Sequence, residues 1–317
     1  MLRSRSMGGQ VDPEIASLLD DAVARLQEGD HAAAAPLYRA ILERDPSRAG
    51  CWHDLGIATK HLRLWDECRA VNRRALELDT ADEGAAWNLG IAATALSDWV
   101  SAREGWRAAG LEIPDGEGAI EMDLGPVPIR VANETNPEVV WCRRIDPARA
   151  IILNVPTAAC GRRHRDLVLH DGSSNGERLL DGQPVPVFDE LTVLAPSGFS
   201  TYEASIEVTL SEDVSALQSL VDRAGGVAED WTTSVRNLCR ACSEGNPDAG
   251  VHAHPFDERS KAIRTIGLAM EQDEFEVQSL LSRWLAGRDR GVLQRLTGPR
   301  RRRLLSLQRV TEGAPRA

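Results

Sequence analysis

The chain has 317 residues, a length that allows two or three domains with cores of their own. Its composition, 42% hydrophobic and 27% charged, is that of a globular protein. The formal net charge of -11 disfavours nucleic acid as a partner, because most of the surface would repel a phosphate backbone.

Neither a membrane segment nor a secretory leader is predicted. No stretch approaches the roughly 18 apolar residues that a membrane helix needs, and the basic first ten residues lead into no apolar segment of leader length. The six cysteines are unevenly placed and form no dense disulfide pattern. A cytoplasmic location is therefore expected.

The first third of the chain repeats every 34 residues. Gly56 and Gly90 are 34 residues apart, as are Pro46, Thr80 and Pro114, which close successive units. Bulky and small residues recur within each unit at helical spacing, and this pattern predicts pairs of closely packed helices. A proline cannot continue a helix, so it marks a unit's end. The predicted units are 15–48, 49–82 and 83–116.

This pattern resembles the tetratricopeptide repeat (TPR) over residues 13–116, with Thr80 in place of a closing proline and Arg63 in place of a turn glycine. The resemblance implies an α-solenoid whose concave groove binds a protein or peptide. The alternative is that the three units only support the rest of the chain. The candidate groove residues are polar positions not needed for packing, namely His53, Lys60, Asn88 and the nearby Arg69.

Residues 117–200 change to short β-branched segments separated by turn residues. This pattern predicts a small all-β, barrel-like domain. The expected strands are 127–131, 139–143, 151–155, 166–170 and 191–194. Gly161-Arg162 and the later 173–176 segment, Ser-Ser-Asn-Gly, are similar to fragments of the forkhead-associated domain, which binds phosphothreonine. The interval between them is too short for that fold, so a polar hairpin turn is the favoured interpretation.

Residues 201–298 predict a ferredoxin-like α+β domain from a βαββαβ order of elements. The expected strands are 202–210, 231–238, 262–270 and 291–296, and the expected helices are 214–224 and 274–286. A basic tail follows at 299–317, with four arginines from Arg300 to Arg303. We expect this tail to be solvated or to contact the acidic chain itself.

The connection between the second and third of these strands contains Cys239, Cys242, His252 and His254. Two thiolates and two imidazoles suit tetrahedral zinc, and a loop with few apolar residues would depend on such an ion for its core. Four protein ligands leave no open position, so the zinc is predicted to be structural. The alternatives are two unrelated surface features, or a redox pair, which should open a helix rather than follow a strand.

No catalytic motif is present in the sequence. There is no Gly-x-Ser-x-Gly, phosphate-binding glycine loop, His-Glu-x-x-His or dinucleotide fingerprint. The sequence therefore favours a non-catalytic cytoplasmic adaptor that binds a protein or peptide through its TPR groove. Three other functions stay open: a metal-dependent enzyme that uses the Cys/His site, an accessory protein of an enzyme, and a sensor of a small ligand.

Overall fold

The computed structural model describes residues 12–132, 137–180, 182–208, 211–232, 263–286 and 292–298. Its N-terminal region is an array of paired helices that follow one another at the predicted 34-residue interval. This arrangement confirms the predicted array of helix pairs. The helices are α1 Pro13–Gln27, α2 His31–Arg44, α3 Ala49–His61, α4 Trp65–Leu78, α5 Glu83–Ala95 and α6 Trp99–Ala108.

Each turn between paired helices contains one residue with a left-handed backbone. These residues are Gly29 (φ 77°), Arg63 (φ 59°) and Ser97 (φ 58°), again at 34-residue intervals. Glycine adopts this conformation without steric cost, whereas Arg63 and Ser97 must be held in it by the surrounding helices. The turn geometry thus repeats although the residue type does not.

Small residues let the two helices of a unit approach closely. A Cβ atom at Gly90 of α5 would lie only 2.5 Å from the Trp106 ring of α6, and Trp106 is fully buried. A Cβ atom at Gly56 of α3 would likewise collide with the side chain of Asn72 on α4. The predicted close packing therefore depends on glycine at these two positions.

A strand-rich region follows the helices, as predicted. Its strands β1 Pro126–Val131, β2 Glu138–Arg144, β3 Arg149–Ile152, β4 Leu167–Leu180 and β5 Gln183–Ala195 close into a barrel through a parallel pairing of β1 with β5. The last two strands are much longer than expected. Residues 173–176, interpreted above as a hairpin turn, lie inside β4, where its pairing with β5 shifts register. A bulge, rather than a chain reversal, accommodates these polar residues.

The C-terminal elements are β6 Ser200–Glu207, α7 Ser211–Arg223, β7 Val227–Asp230, β8 Ile263–Met270, α8 Glu274–Ala286 and β9 Val292–Thr297. The sheet order is β7-β8-β6-β9, with antiparallel neighbours, and both helices contribute to its core. β7 precedes the second strand predicted at 231–238, of which residues 233–238 lie outside the described residues. The acidic residues Glu229 and Asp230 give β7 the composition of a loop. In the structure Glu229 accepts a hydrogen bond from Asn154, and Asp230 pairs with Arg264.

The helical array and the barrel share a hydrophobic core. Ile91 and Trp106 of the array pack in one cluster with Ile120 of the connecting segment and with Leu169 and Leu191 of the barrel. This shared core fixes the barrel against the array. No helix in the described ranges has the length and apolar character needed to cross a membrane.

Candidate functional site

A cleft of about 720 Å³ lies between helices α3 and α5 on one side and strands β4 and β5 on the other. We call it the array–barrel cleft. Its helical wall includes His53, Ile57, Lys60, His61, Glu83, Trp87 and Asn88. Its barrel wall includes Asp171, Gly172, Ser173, Ser174, Asn175, Asp189, Glu190 and Leu191.

A buried ion pair joins the two walls. Lys60 Nζ, from the last turn of α3, lies 2.9 Å from Asp171 Oδ1 on β4. Burial alone would raise the pKa of Asp171, but the ammonium charge of Lys60 and its hydrogen bond outweigh that effect and hold the pKa below its ordinary value. Asp171 therefore pairs with Lys60 as an ionised carboxylate.

Residues of the barrel also pack directly against α5 and α6 of the array. A Cβ atom at Gly172 would lie 2.6 Å from the Trp87 ring, so β4 approaches α5 as closely as a residue without a side chain permits. The guanidinium of Arg149 stacks 4.6 Å from the centroid of the Trp99 ring. These contacts fit the alternative role, in which the units support the rest of the chain. The array–barrel cleft beside them remains open.

Three of the four candidate groove residues line this cleft. His53 Nδ1 lies 2.8 Å from Asp82 Oδ2, Lys60 contacts Asp171, and Asn88 lies on the wall with 5% of its surface exposed. Arg69 does not line it, because its guanidinium is held by Asp98, 2.7 Å away, and by Asp66. The helical repeat pointed to the first three, whereas the contact of Lys60 with Asp171 on β4 had no signal in the sequence.

Sequence reasoning missed the carboxylates of the barrel wall. Asp189 pairs with Arg130 at 2.6 Å, and Glu190 pairs with Arg162 at 2.7 Å. Both carboxylates lie on β5, upstream of the strand predicted at 191–194. Their position became evident only from the full length of β5.

The segment similar to the forkhead-associated domain also reaches the cleft. Ser173, Ser174 and Asn175 lie on its barrel wall, and Asn175 Nδ2 donates to Asp189 Oδ2 over 2.8 Å. The arginine of that resemblance, Arg162, is bound to Glu190. This pairing commits its guanidinium to a carboxylate and offers no basis for phosphate binding.

The predicted zinc ligands Cys239, Cys242, His252 and His254 lie in 233–262, outside the described residues. Within the ranges that are described, no group of three or more His, Cys, Asp or Glu side chains could hold a metal ion.

The cysteines in the described ranges are buried free thiols: Cys51, Cys68, Cys142 and Cys160. Burial raises the pKa of Cys68 and of Cys160 to about 12. These two thiols stay protonated at neutral pH, which disfavours nucleophilic chemistry at them.

No protein-family model matches the chain, and no curated protein matches it. Solved structures match over the helical array. The TPR2B domain of yeast Sti1, in its pHsp70 complex, is 21% identical, with 31% of this chain and 78% of that chain covered and a TM-score of 0.29. The first TPR of Spaghetti (RPAP3), bound to the HSP90 peptide SRMEEVD, is 18% identical, with 32% and 82% covered and a TM-score of 0.30.

The MamA protein is 21% identical, with 30% of this chain and 52% of that chain covered and a TM-score of 0.29. Each of these three likenesses is confined to about a third of this chain.

Proposed function

We propose that the protein is a non-catalytic adaptor that binds a protein or peptide in the array–barrel cleft. The observation that carries this proposal is the open inner wall of α3 and α5, where polar side chains such as Asn88 face a cleft of about 720 Å³. Solenoid repeats commonly use such concave surfaces for binding. The role is the one that the resemblance to TPR proteins implies.

The other domains complete this proposal. The barrel serves as the second wall of the cleft. The C-terminal domain is proposed to be ferredoxin-like, which its sheet order β7-β8-β6-β9 supports. A structural zinc ion bound by Cys239, Cys242, His252 and His254 would hold the loop between its second and third strands. The proposed compartment is the cytoplasm, no membrane partner is proposed, and the net negative charge disfavours nucleic acid as a partner.

Site-specific photo-crosslinking in the protein's own cells tests the adaptor role. A benzophenone amino acid replaces Ser174, which is exposed and lines the cleft, in the full chain. The control carries the same probe at Glu77, an exposed position on α4 that does not line the cleft. We expect a protein adduct from position 174 that position 77 does not give. Equal labelling from both positions, or none, would contradict the proposal.

A binding measurement must follow any adduct. The crosslinked protein, once identified by mass spectrometry and purified, should bind the unmodified full chain directly. Its affinity should fall in the Asn88→Ala variant, because Asn88 lies on the cleft wall. An unchanged affinity would show that the adduct reports proximity and not binding in the cleft.

A further inference from the structure

Asn88 lies buried on the helical wall of the array–barrel cleft. Its residue is only 5% exposed, and its side chain makes no hydrogen bond within the described part of the chain. Asn72, fully buried on α4, instead donates Nδ2 to the Cys68 carbonyl oxygen over 2.7 Å, although its Oδ1 has no partner among the described residues. Buried side-chain amides normally have partners, so the amide of Asn88 on the cleft wall is available to hydrogen-bond an incoming group.

The charges around the cleft are unbalanced. Three of its carboxylates have cationic partners: Asp171 with Lys60, Asp189 with Arg130, and Glu190 with Arg162.

Two further carboxylates lie at the start of α5. Asp82 caps the helix by accepting a hydrogen bond from Ala85 N, and its only ion pair within the described residues is with His53. Glu83 has no ion pair in that same part of the chain and is exposed on the helical wall. The cleft therefore keeps an excess of negative charge, and the whole chain adds to it.

We propose that the array–barrel cleft selects a partner segment that carries a lysine or an arginine. The cationic side chain lies near Glu83, while Asn88 hydrogen-bonds the main chain of the segment. Residues 173–175 of β4 form the facing wall. This inference rests on the proposed adaptor function and adds the chemistry of the partner: a basic, extended stretch of another protein. Complementary charge of this kind favours encounter and excludes acidic partners.

Binding of defined peptides to the full chain tests the inference. The probes are three fluorescein-labelled six-residue peptides in which glycine alternates with arginine, glutamine or glutamate, measured by fluorescence anisotropy at low and high salt. We expect the arginine peptide to bind tightest and to weaken as salt rises, because salt screens exposed charges. The glutamate peptide should bind weakest.

Three variants locate the effect. Glu83→Gln should weaken binding of the arginine peptide about two- to fivefold, the range expected for an exposed charge pair. Asn88→Ala should weaken the arginine and glutamine peptides alike, about two- to tenfold, because a main-chain hydrogen bond is lost. Glu43→Gln on α2, which removes an exposed carboxylate outside the cleft, should leave binding unchanged.

The inference is overturned if the arginine peptide binds no tighter than the glutamine peptide, or if Glu43→Gln acts as strongly as Glu83→Gln. Should Asn88→Ala fail to fold, the exposed Glu83→Gln variant still decides the charge preference. A cellular partner crosslinked at position 174 through a neutral or acidic segment would refute this inference and leave the adaptor function standing. Absence of any adduct from that position would count against the adaptor function itself.

Discussion

Lys60 and Asp171 join the helical array to the barrel through a contact that spans 111 residues of sequence. Lys60 Nζ and Asp171 Oδ1 are 2.9 Å apart, and the two side chains are only 7% and 10% exposed. A charge buried to this extent is stable only with its partner in place. This pair therefore links the integrity of the cleft to the folding stability of the chain.

Removing one member of this pair should be costly. Lys60→Ala leaves the carboxylate of Asp171 buried without its cation, and we expect a loss of about 3–5 kcal/mol in the free energy of unfolding. Urea denaturation followed by tryptophan fluorescence at pH 7 measures it. The matched control is Arg25→Ala, which removes the exposed Arg25–Glu28 pair and should cost about 1 kcal/mol or less. An equal loss of unfolding free energy in both variants would contradict a larger stabilising contribution from the buried pair.

The close approach of α5 and α6 gives a second prediction. Gly90→Ala places a methyl group 2.5 Å from the fully buried Trp106 ring, so we expect a loss of about 1–3 kcal/mol from overpacking. Gly50→Ala on α3 is the control, because its Cβ would meet no atom within 4 Å. Alanine there should stabilise the helix by about 0.5–1 kcal/mol. Thermal unfolding measures the stability of both variants. A Gly90→Ala protein as stable as the Gly50→Ala protein would contradict the packing argument.

His170 predicts a loss of stability in acid. The imidazole is fully buried, with Nδ1 2.8 Å from the Asp171 carbonyl oxygen, and burial lowers its pKa to about 4. Among its charged neighbours, Arg144 lowers this pKa further, whereas Asp146 and Asp171 raise it. As the pH falls from about 6.5 to 4, the His170 imidazole binds a proton in the unfolded chain but stays neutral in the folded chain. We expect a loss of about 3 kcal/mol in unfolding free energy across this range.

The variant His170→Asn isolates this contribution. Its amide can replace the Nδ1–H donor but does not titrate. Urea denaturation at several pH values should show a smaller decline for the variant between pH 6.5 and 4. Burial also lowers the pKa of His164, which titrates alike in both proteins and cancels in the difference. Parallel curves for the two proteins would refute the assignment to His170.

The sequence was most informative where structure is local. The 34-residue interval predicted the helix pairs because their packing depends on residues close in sequence, as with Gly90 and Trp106. The same helical period put His53, Lys60 and Asn88 on one face. It could not show that β4 would pack against that face, because the contact of Lys60 with Asp171 depends on the tertiary fold.

Polar residues obscured two strands. Ser173 and Asn175 have turn-like composition, yet a bulge retains them in β4, where they reach the cleft. Glu229 and Asp230 gave β7 a loop-like composition, although each is held by a partner on a neighbouring element. Strand assignment from composition fails where polar side chains find partners across the fold.

The Cys/His segment carries the last prediction. Protein purified without a metal-affinity step should contain about one zinc ion per chain, because two thiolates and two imidazoles complete a tetrahedral site. Plasma mass spectrometry measures the metal, and the Cys239→Ser/Cys242→Ser variant should lose it. Cys51→Ser, which alters a buried thiol of the helical array, is the control and should retain it. If the purified protein holds no zinc, or if the double variant holds as much as the control, the segment is no zinc site. Bound zinc should also stabilise the C-terminal domain, since coordination contributes to its folding.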